Sequence, residues 1–374
     1  MDWDEIFETI QFMRESGYTW GKISEVINDN YNLDLSPDAY RHRCNRHSQN
    51  TTSMTGYAGE QLSMDIDTEK YKVRDYMNQA NAYIRRISRE ETLKEIASDF
   101  AEKMGRVCTF DNVDKLTIKS DKEAILCISD WHYGIEINNY NNVYNTNIAR
   151  QRVTLLLAET LRFVKEYKIK RLHVVNLGDM IAGRIHSQIK MESRIDSVTQ
   201  IMEVSELIAE FLQDLSKVTQ VEYYEVLDNH SRIEPNIKES LELESLARIT
   251  GFYLKQRMNN NPNVNINDNE FGLDIASFNV LGHNVAGVHG NKDKQKTVIN
   301  SLTLYTKEFY DLILTAHMHH FSAEEQNETM RISNGSLMGT DSFAQKLRLN
   351  AKPSQTLIVC TKENPVYAVH KIDL

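Results

Sequence analysis

The sequence predicts an α/β protein with a small helical module at its N-terminus. From residue 121 onward, short β-like runs alternate with helical segments, a pattern typical of an α/β domain with buried sheets. Before that point, residues 2–48 have the apolar spacing of three short helices. Because 374 residues exceed what one compact core usually holds, we expect one large domain and one smaller domain.

The composition is that of an ordinary globular protein. Hydrophobic residues make up 41% of the chain and charged residues 26%, which argues against a chain that is disordered or fibrous throughout. No apolar run approaches the roughly 18 residues of a membrane span, and the chain opens on acidic residues where an export signal needs basic and apolar ones. We therefore expect a cytoplasmic protein without membrane contact. The four cysteines are scattered and form no CxxC pair, which excludes a cysteine-built zinc site.

The first helical segment carries an apolar stripe and stops at Gly17. Thr19 is the predicted N-cap of the second helix, and Ser36 followed by Pro37 opens a third helix that runs through His47. Three helices of which the last is basic resemble a helix-turn-helix module.

The third helix lacks acidic residues between positions 39 and 50. The candidate nucleic-acid-binding residues on it are Arg41, Arg43 and Arg46. Two interpretations stay open: a DNA-binding helix, or a protein-contact module whose last helix has a solvated cationic face.

The predicted domain organisation has four parts. Residues 1–50 form the helix-turn-helix-like module, and residues 51–66, rich in Ser, Thr, Asn and Gly, form a linker. Residues 67–120 return to helical spacing and are predicted to be a connector that forms a homo-oligomer or contacts a partner protein. Residues 121–374 form the large domain.

Chemically informative residues follow five consecutive β-like runs of the large domain. The runs are Ala124 to Ser129, Arg171 to Leu177, Val221 to Leu227, Asn284 to Val288 and Asp311 to Thr315. The segments at or just beyond their ends are Ser129-Asp130-Trp131-His132, Gly178-Asp179, Asp228-Asn229-His230, His289-Gly290 and Ala316-His317-Met318-His319. Each fragment alone is a weak signal, but the ordered set at one kind of structural position is specific. A closing hairpin is predicted around Asn364-Pro365.

These motifs resemble those of the calcineurin-like metallophosphoesterase superfamily, whose pattern is D-x-H, G-D, G-N-H-(D/E), H and G-H-x-H in that order. The resemblance covers about residues 121–345 and is strongest to nuclease-type members, including the DNA repair exonuclease-like proteins often encoded by tailed phages. It implies two mixed β-sheets flanked by helices, and a bacterial or phage-infected host cytoplasm. Asp228, Ser231 and Ala316 depart from the family pattern at positions that supply no metal ligand in the family.

Carried over by residue, the resemblance implies two metal sites that share one carboxylate. The first metal would be held by Asp130, His132, Asp179 and His319, and the second by Asp179, Asn229, His289 and His317. Carboxylate, imidazole and amide ligands suit intermediate divalent ions, so we expect Mn²⁺, with Fe²⁺, Zn²⁺ or Mg²⁺ as alternatives. Two divalent ions against two carboxylates leave a formal positive surplus that favours a phosphate-bearing substrate.

The predicted activity is two-metal hydrolysis of a phosphodiester, with DNA as the substrate of an exonuclease-like enzyme. The resemblance implies a metal-bridging hydroxide as the nucleophile, with Asp179 and His230 as catalytic residues; His230 would stabilise the transition state or protonate the leaving oxygen. One alternative is a phosphoesterase for small nucleotides, cyclic nucleotides or phosphomonoesters with an N-terminal protein-contact domain. Another is an inactive scaffold. The net charge of −10 argues against DNA binding through bulk charge, so the positive charge that meets the phosphate is expected to come from the two metal ions, supplemented by the three arginines.

Overall fold

A computed structural model provides the coordinates of the protein. It describes residues 3–51, 70–81, 115–185, 187–241 and 243–374. The predicted linker beyond residue 51 and most of the predicted connector lie outside these residues. The chain divides into two compact units, residues 1–93 and residues 94–374. Within the described ranges, no helix is long and apolar enough to cross a membrane.

The first unit contains the three predicted helices. They are α1 (Trp3–Glu15), α2 (Trp20–Tyr31) and α3 (Pro37–Thr51), and residues 70–81 form a fourth helix, α4, whose side chains are exposed. Ile6, Ile10, Ile23, Ile27 and Tyr40 are buried together and form the centre of this unit. The helices thus pack through the apolar stripe that their spacing predicted.

Two local contacts define the ends and turns of these helices. Thr19 accepts a hydrogen bond from the backbone of Lys22, as an N-cap residue does. The Asn28 side chain bonds both backbone groups of Leu35 and accepts a hydrogen bond from the Tyr40 hydroxyl. The segment between α2 and α3 is therefore held by side-chain bonds as well as by apolar packing.

The second unit is an α/β domain. Its strands are β1 (Glu123–Ile128), β2 (Ile137–Asn138), β3 (Val143–Tyr144), β4 (Arg171–Asn176), β5 (Gln220–Glu225), β6 (Val264–Ile266), β7 (Ala276–Val280), β8 (His283–Gly287), β9 (Leu312–Thr315), β10 (Ser322–Gln326), β11 (Thr329–Ser333), β12 (Ser354–Cys360) and β13 (Ala368–Asp373). Its helices are α5 (Thr146–Tyr167), α6 (Ser187–Glu192), α7 (Ser197–Ser216), α8 (Ala247–Arg257), α9 (Val298–Thr306) and α10 (Ser342–Lys346).

Two mixed sheets form the core of this unit. The six-stranded sheet has the order β13-β12-β1-β4-β5-β6, with β1, β4, β5 and β6 parallel. The five-stranded sheet has the order β10-β11-β9-β8-β7, with β8, β9 and β11 parallel. Cys127 and Val175 of the first sheet share one buried cluster with Val285 and Leu314 of the second. The predicted architecture of two mixed sheets flanked by helices is confirmed.

Helices cover the outer faces of both sheets. Leu302 of α9 packs with Ala286 and Ile313 of the second sheet. Helices α5 and α7 contact each other and also contact β12 and β5 of the first sheet. Because β1, β4, β5, β8 and β9 all belong to parallel arrangements, their carboxyl ends leave the sheets on the same side within each sheet. This arrangement positions the loops that follow them.

Several elements differ from the sequence prediction. The pattern of apolar runs did not predict β6, β7, β10 or β11. Strand β10 has the sequence Ser-Ala-Glu-Glu-Gln and lies at the edge of its sheet, so no apolar run marks it. The predicted C-terminal hairpin is present as antiparallel β12 and β13.

Candidate metal centre

The loops that follow β1, β4, β5, β8 and β9 bring the predicted metal ligands together. The potential ligand atoms form two clusters, and within each cluster all of these atoms lie within 4.8 Å of one another. They consist of Asp130, His132, Asp179 and His319, and of Asp179, His289 and His317. Asn229 joins the second cluster, because its Oδ1 atom lies 3.0 Å from His289 Nε2. Asp179 belongs to both clusters, as the ligand assignment by resemblance predicts.

Five of these residues have a left-handed backbone conformation. The φ angles are 53° at Asp130, 43° at His132, 54° at Asp179, 68° at His317 and 59° at His319. Each such residue costs on the order of 1–3 kcal/mol and persists only where its surroundings hold it in place. This backbone strain is therefore concentrated where the functional side chains converge.

The Asp130 carboxylate is oriented by neighbouring hydroxyl and amide groups. The Ser129 hydroxyl donates to Asp130 Oδ2 at 2.6 Å, and Asn334 donates to the Ser129 hydroxyl at 2.9 Å. The Ser336 hydroxyl donates to the Asp130 backbone carbonyl. These bonds leave Oδ1, which is buried and has no hydrogen-bond partner among the described residues, to face His319 Nε2 at 3.3 Å.

The Asp179 carboxylate depends on a close approach of two loops. Its backbone N–H donates to Asp228 Oδ2 at 2.9 Å, and its Oδ1 accepts from the His230 backbone at 3.2 Å. The preceding Gly178 has φ +94°, and a Cβ there would lie 2.6 Å from the Asp228 Cβ. Glycine is therefore required for the β4 and β5 loops to meet at this distance.

The histidines are aligned by backbone carbonyls. His289 Nδ1 lies 2.7 Å from the Leu177 carbonyl and donates to it, which directs Nε2 to Asp179 Oδ2 at 3.1 Å. His230 is held in the same way, with Nδ1 2.8 Å from the Ala182 carbonyl and Nε2 3.9 Å from Asp179 Oδ2. Carbonyl acceptors of this kind fix the tautomer and orientation of metal-binding imidazoles.

Electrostatics keep both central carboxylates ionised. Burial acts to raise the pKa of Asp179, but the neighbouring His230 and His289 outweigh it and hold that pKa well below its usual value. Burial also opposes ionisation of Asp130, yet His319 lowers its pKa. Burial and the nearby His230 hold the pKa of His132 well below its usual value. Ionised carboxylates and a neutral imidazole are the protonation states in which these groups bind metal.

The residues fit a pair of divalent cations. Asp130 Oδ1, Asp179 Oδ2 and His317 Nδ1 are buried atoms without a hydrogen-bond partner among the described residues. His132 Nε2 and His319 Nε2 face each other at 3.2 Å, a contact between two ring nitrogens that a shared cation or proton would satisfy. The donors are carboxylate, imidazole and amide groups, with no thiolate in either cluster, which suits Mn²⁺, Fe²⁺, Zn²⁺ or Mg²⁺.

Sequence reasoning missed the part played by Asp228, which it treated as a departure from a family glycine. The Asp228 carboxylate accepts from the Asp179 backbone, the Ser231 backbone and the Ser231 hydroxyl. Burial and the nearby Asp179 carboxylate raise the pKa of Asp228 to about 6. The Asp-x-x-Ser spacing is typical of a side-chain-capped turn and could have indicated this role.

The predicted nucleic-acid-binding arginines lie on α3 in the other compact unit. Arg41 is 3.8 Å from Asp38, and the Arg43 guanidinium lies over the Trp3 ring at 4.3 Å from its centre. Arg46 is exposed. Two of the three arginines thus contact neighbours within their own unit.

Comparisons with known proteins give similarities at low identity. No protein-family model matches the chain. The chain is 24% identical over 368 residues to the SPbeta prophage-derived uncharacterized protein YonJ of Bacillus subtilis strain 168, which covers 91% of this chain and 88% of that protein. This relative is phage-derived, and its name records no activity.

Solved structures with detected similarity include phosphoesterases. A novel archaeal phosphodiesterase is 13% identical, covers 67% of this chain and 99% of its own, and has a TM-score of 0.35. Vps29 of Entamoeba histolytica in complex with Zn²⁺ is 11% identical, with coverages of 67% and 98% and a TM-score of 0.31. A predicted phosphoesterase of Streptococcus pneumoniae TIGR4 is 12% identical, with coverages of 68% and 100% and a TM-score of 0.29. The fold is defined by the strand order of the two sheets and by the buried core that they share.

We predict that the protein binds two Mn²⁺ ions per chain, one for each cluster of ligand atoms. Asp179→Ala should lose both ions because it removes the shared carboxylate, whereas His317→Ala should retain one. Ser129→Ala should bind the ion of the first cluster about 10–100-fold more weakly, because it frees the Asp130 carboxylate to rotate. Isothermal titration calorimetry on the metal-stripped protein measures these stoichiometries.

The matched control is Glu325→Ala, which removes an exposed carboxylate on β10 and should leave both ions bound. Two ions retained at unchanged affinity in Asp179→Ala would contradict the shared site.

Proposed function

We propose that this protein is a metal-dependent phosphodiester hydrolase that cleaves DNA in an exonuclease-like manner. The observation that carries the proposal is the pair of ligand clusters joined at Asp179. Paired divalent ions about 3.5–4 Å apart are typical of phosphatases and nucleases, in which they activate water and stabilise the charge on the transferring phosphoryl group. We propose Mn²⁺ as the ion, because the mixture of imidazole, carboxylate and amide ligands suits an intermediate divalent cation.

The charge of the site supports a phosphate-bearing substrate. Asp130 and Asp179 are the carboxylates of the two clusters, and two divalent ions would exceed their charge by a formal two units. The walls are buried: Asp130, His132, Asp179 and His289 are each no more than 3% exposed. A phosphate group would enter a site of low dielectric constant in which electrostatic attraction is strong.

His230 is suited to act on the leaving oxygen. Its Nδ1 is committed to the Ala182 carbonyl, so Nε2 is the atom that can hold or transfer a proton on the side of Asp179. The ring lies edge-on against His132 with a centroid separation of 4.5 Å, which restricts its rotation. Proton transfer by a positioned side chain contributes about 10²–10⁴-fold in rate.

The first compact unit supports DNA as the substrate. Its third helix places Arg41, Arg43 and Arg46 on a segment without acidic residues between positions 39 and 50, and all three side chains are exposed. A second candidate is hydrolysis of small phosphoesters, with this unit as a protein-contact module. Two contacts favour this second candidate: Arg41 lies near Asp38, and Arg43 lies over the Trp3 ring. Both guanidinium groups thus already contact residues of their own unit, whereas DNA binding would require them to contact phosphates.

A substrate panel separates these activities. With Mn²⁺, the wild-type protein should hydrolyse single- or double-stranded DNA and bis-p-nitrophenyl phosphate, and Asp179→Ala should be inactive on all of them. Product analysis of end-labelled DNA distinguishes stepwise release of nucleotides from internal cleavage. Hydrolysis of p-nitrophenyl phosphate alone would contradict the proposal and favour a phosphomonoesterase.

Replacing His230 by Ala should lower kcat by about 10²–10⁴-fold while both metal ions remain bound, because His230 would act on the proton rather than on the metal. The measurements are steady-state kinetics on bis-p-nitrophenyl phosphate and metal titration of the same preparation. His320→Ala is the matched control, because His320 is an exposed histidine beside the last motif. Loss of metal from His230→Ala would exclude the proton-transfer role.

Replacing Arg46 by Ala should lower the slope of log affinity for duplex DNA against log salt concentration by about one unit, as expected for one lost phosphate contact. Fluorescence anisotropy at several salt concentrations measures that slope. Lys22→Ala, which removes an exposed cation of α2 that is paired with Glu25, is the matched control. An unchanged slope in Arg46→Ala would favour the protein-contact module.

A further inference from the structure

A cavity of about 550 Å³ opens beside the metal centre. His289 lines it, and so does Leu227, which lies two residues before Asn229. The Leu227 N–H donates to the Leu273 carbonyl at 2.9 Å, which holds the segment before β7 against the loop that follows β5. The cavity therefore shares two of its walls with the loops that carry the metal ligands.

The lining combines aromatic rings with acidic groups. Phe271 is half-buried and packs against the cluster beneath α9, and Tyr305 projects from α9 with 71% of its surface exposed. Lys292 pairs with Asp274 at 2.8 Å. Asp293 is also part of the lining, and none of the described residues donates a hydrogen bond to its carboxylate. Burial and the nearby Asp274 raise the pKa of Asp293.

We propose that this cavity binds a nucleobase with an exocyclic amino group, such as guanine, while the phosphate of the same nucleotide lies at the metal centre. This inference rests on the proposed phosphodiester hydrolysis. The volume lies within the range of about 300–1,000 Å³ that is usual for small-molecule sites. An aromatic ring such as Tyr305 can stack on any base, and stacking of this kind is largely independent of sequence.

The preference among bases comes from Asp293. An ionised carboxylate can only accept hydrogen bonds, so it matches the amino groups of guanine, adenine or cytosine. Thymine carries carbonyl oxygens on both sides of its N–H group and would face the carboxylate with a repulsive edge. A purely apolar ligand is disfavoured as well, because it would bury the Asp293 carboxylate without supplying a donor.

Direct binding of nucleosides tests the cavity without requiring catalysis. Ligand-observed NMR titrations of the full-length, metal-free protein would use 2′-deoxyguanosine, thymidine and 2-deoxyribose. We expect 2′-deoxyguanosine to bind most tightly and 2-deoxyribose not to bind. Tyr305→Ala should weaken binding of 2′-deoxyguanosine about tenfold, because it removes one stacking face. Asp293→Asn should reduce the preference for 2′-deoxyguanosine over thymidine.

Leu304→Ala is the matched control, because Leu304 is an exposed α9 residue outside the cavity lining. It should bind 2′-deoxyguanosine as the wild type does. Equal affinity for 2-deoxyribose and the nucleosides, or wild-type affinity in Tyr305→Ala, would overturn the assignment.

Kinetics separate this inference from the proposed function. With Mn²⁺ bound, the KM of the wild-type protein for a guanine-containing oligodeoxynucleotide should be about tenfold lower than its KM for an abasic oligonucleotide of equal length. In Tyr305→Ala the difference between these two KM values should be smaller. Equal KM values with rapid hydrolysis of both would overturn the base-binding cavity and leave the hydrolase intact. If no phosphodiester is hydrolysed, the proposed function is wrong, and so is the inference that the base and the phosphate of one nucleotide bind in the cavity and at the metal centre together.

Discussion

The buried carboxylate of Asp179 is the group on which the rest of the centre depends. Burial of an unpaired carboxylate is costly, and here the group is surrounded by His230, His289 and His132, which lower its pKa. That environment exists only because Gly178 lets the β4 loop approach Asp228 on the β5 loop. The hydrogen bond from the Asp179 backbone to the Asp228 carboxylate, between the loops that follow two adjacent parallel strands, thus positions a ligand that both clusters share.

The two sheets contribute different parts of this arrangement. The first sheet supplies Asp130, Asp179 and Asn229 from the ends of β1, β4 and β5, and the second sheet supplies the histidines that follow β8 and β9. The bond from His289 Nδ1 to the Leu177 carbonyl links the loops of the two sheets directly. The buried cluster between the sheets holds the strands from which the loops with these left-handed residues emerge.

The sequence was most informative where chemistry and fold coincide. Apolar runs predicted the central parallel strands, and because parallel strands end on one side, the polar residues after them could be expected to converge. Strand β10 was not predicted, because an exposed edge strand does not require an apolar face and therefore has no apolar run in the sequence. The role of Asp228 was also not predicted, because it depends on the distance between two loops. The contact of Arg43 with Trp3 could not be predicted from the sequence either, because it joins α3 to α1 and the apolar spacing assigned Trp3 only to the packing of α1.

Because the net charge of the chain is −10, the bulk charge of the protein does not attract a phosphate to the metal centre. Without cations, the negative charge of Asp130 and Asp179 is balanced in part by His289, because these carboxylates raise the pKa of His289 to about 10, so the site offers little net positive charge to an anionic substrate. Bound divalent ions would add positive charge at the point where the proposed phosphate would lie, while the net charge of the chain stays negative. Metal dependence would therefore extend from the chemical step to substrate binding. Contacts that do not rely on positive charge, such as base stacking on Tyr305, would then carry a larger share of the affinity than they do in basic nucleic-acid-binding proteins.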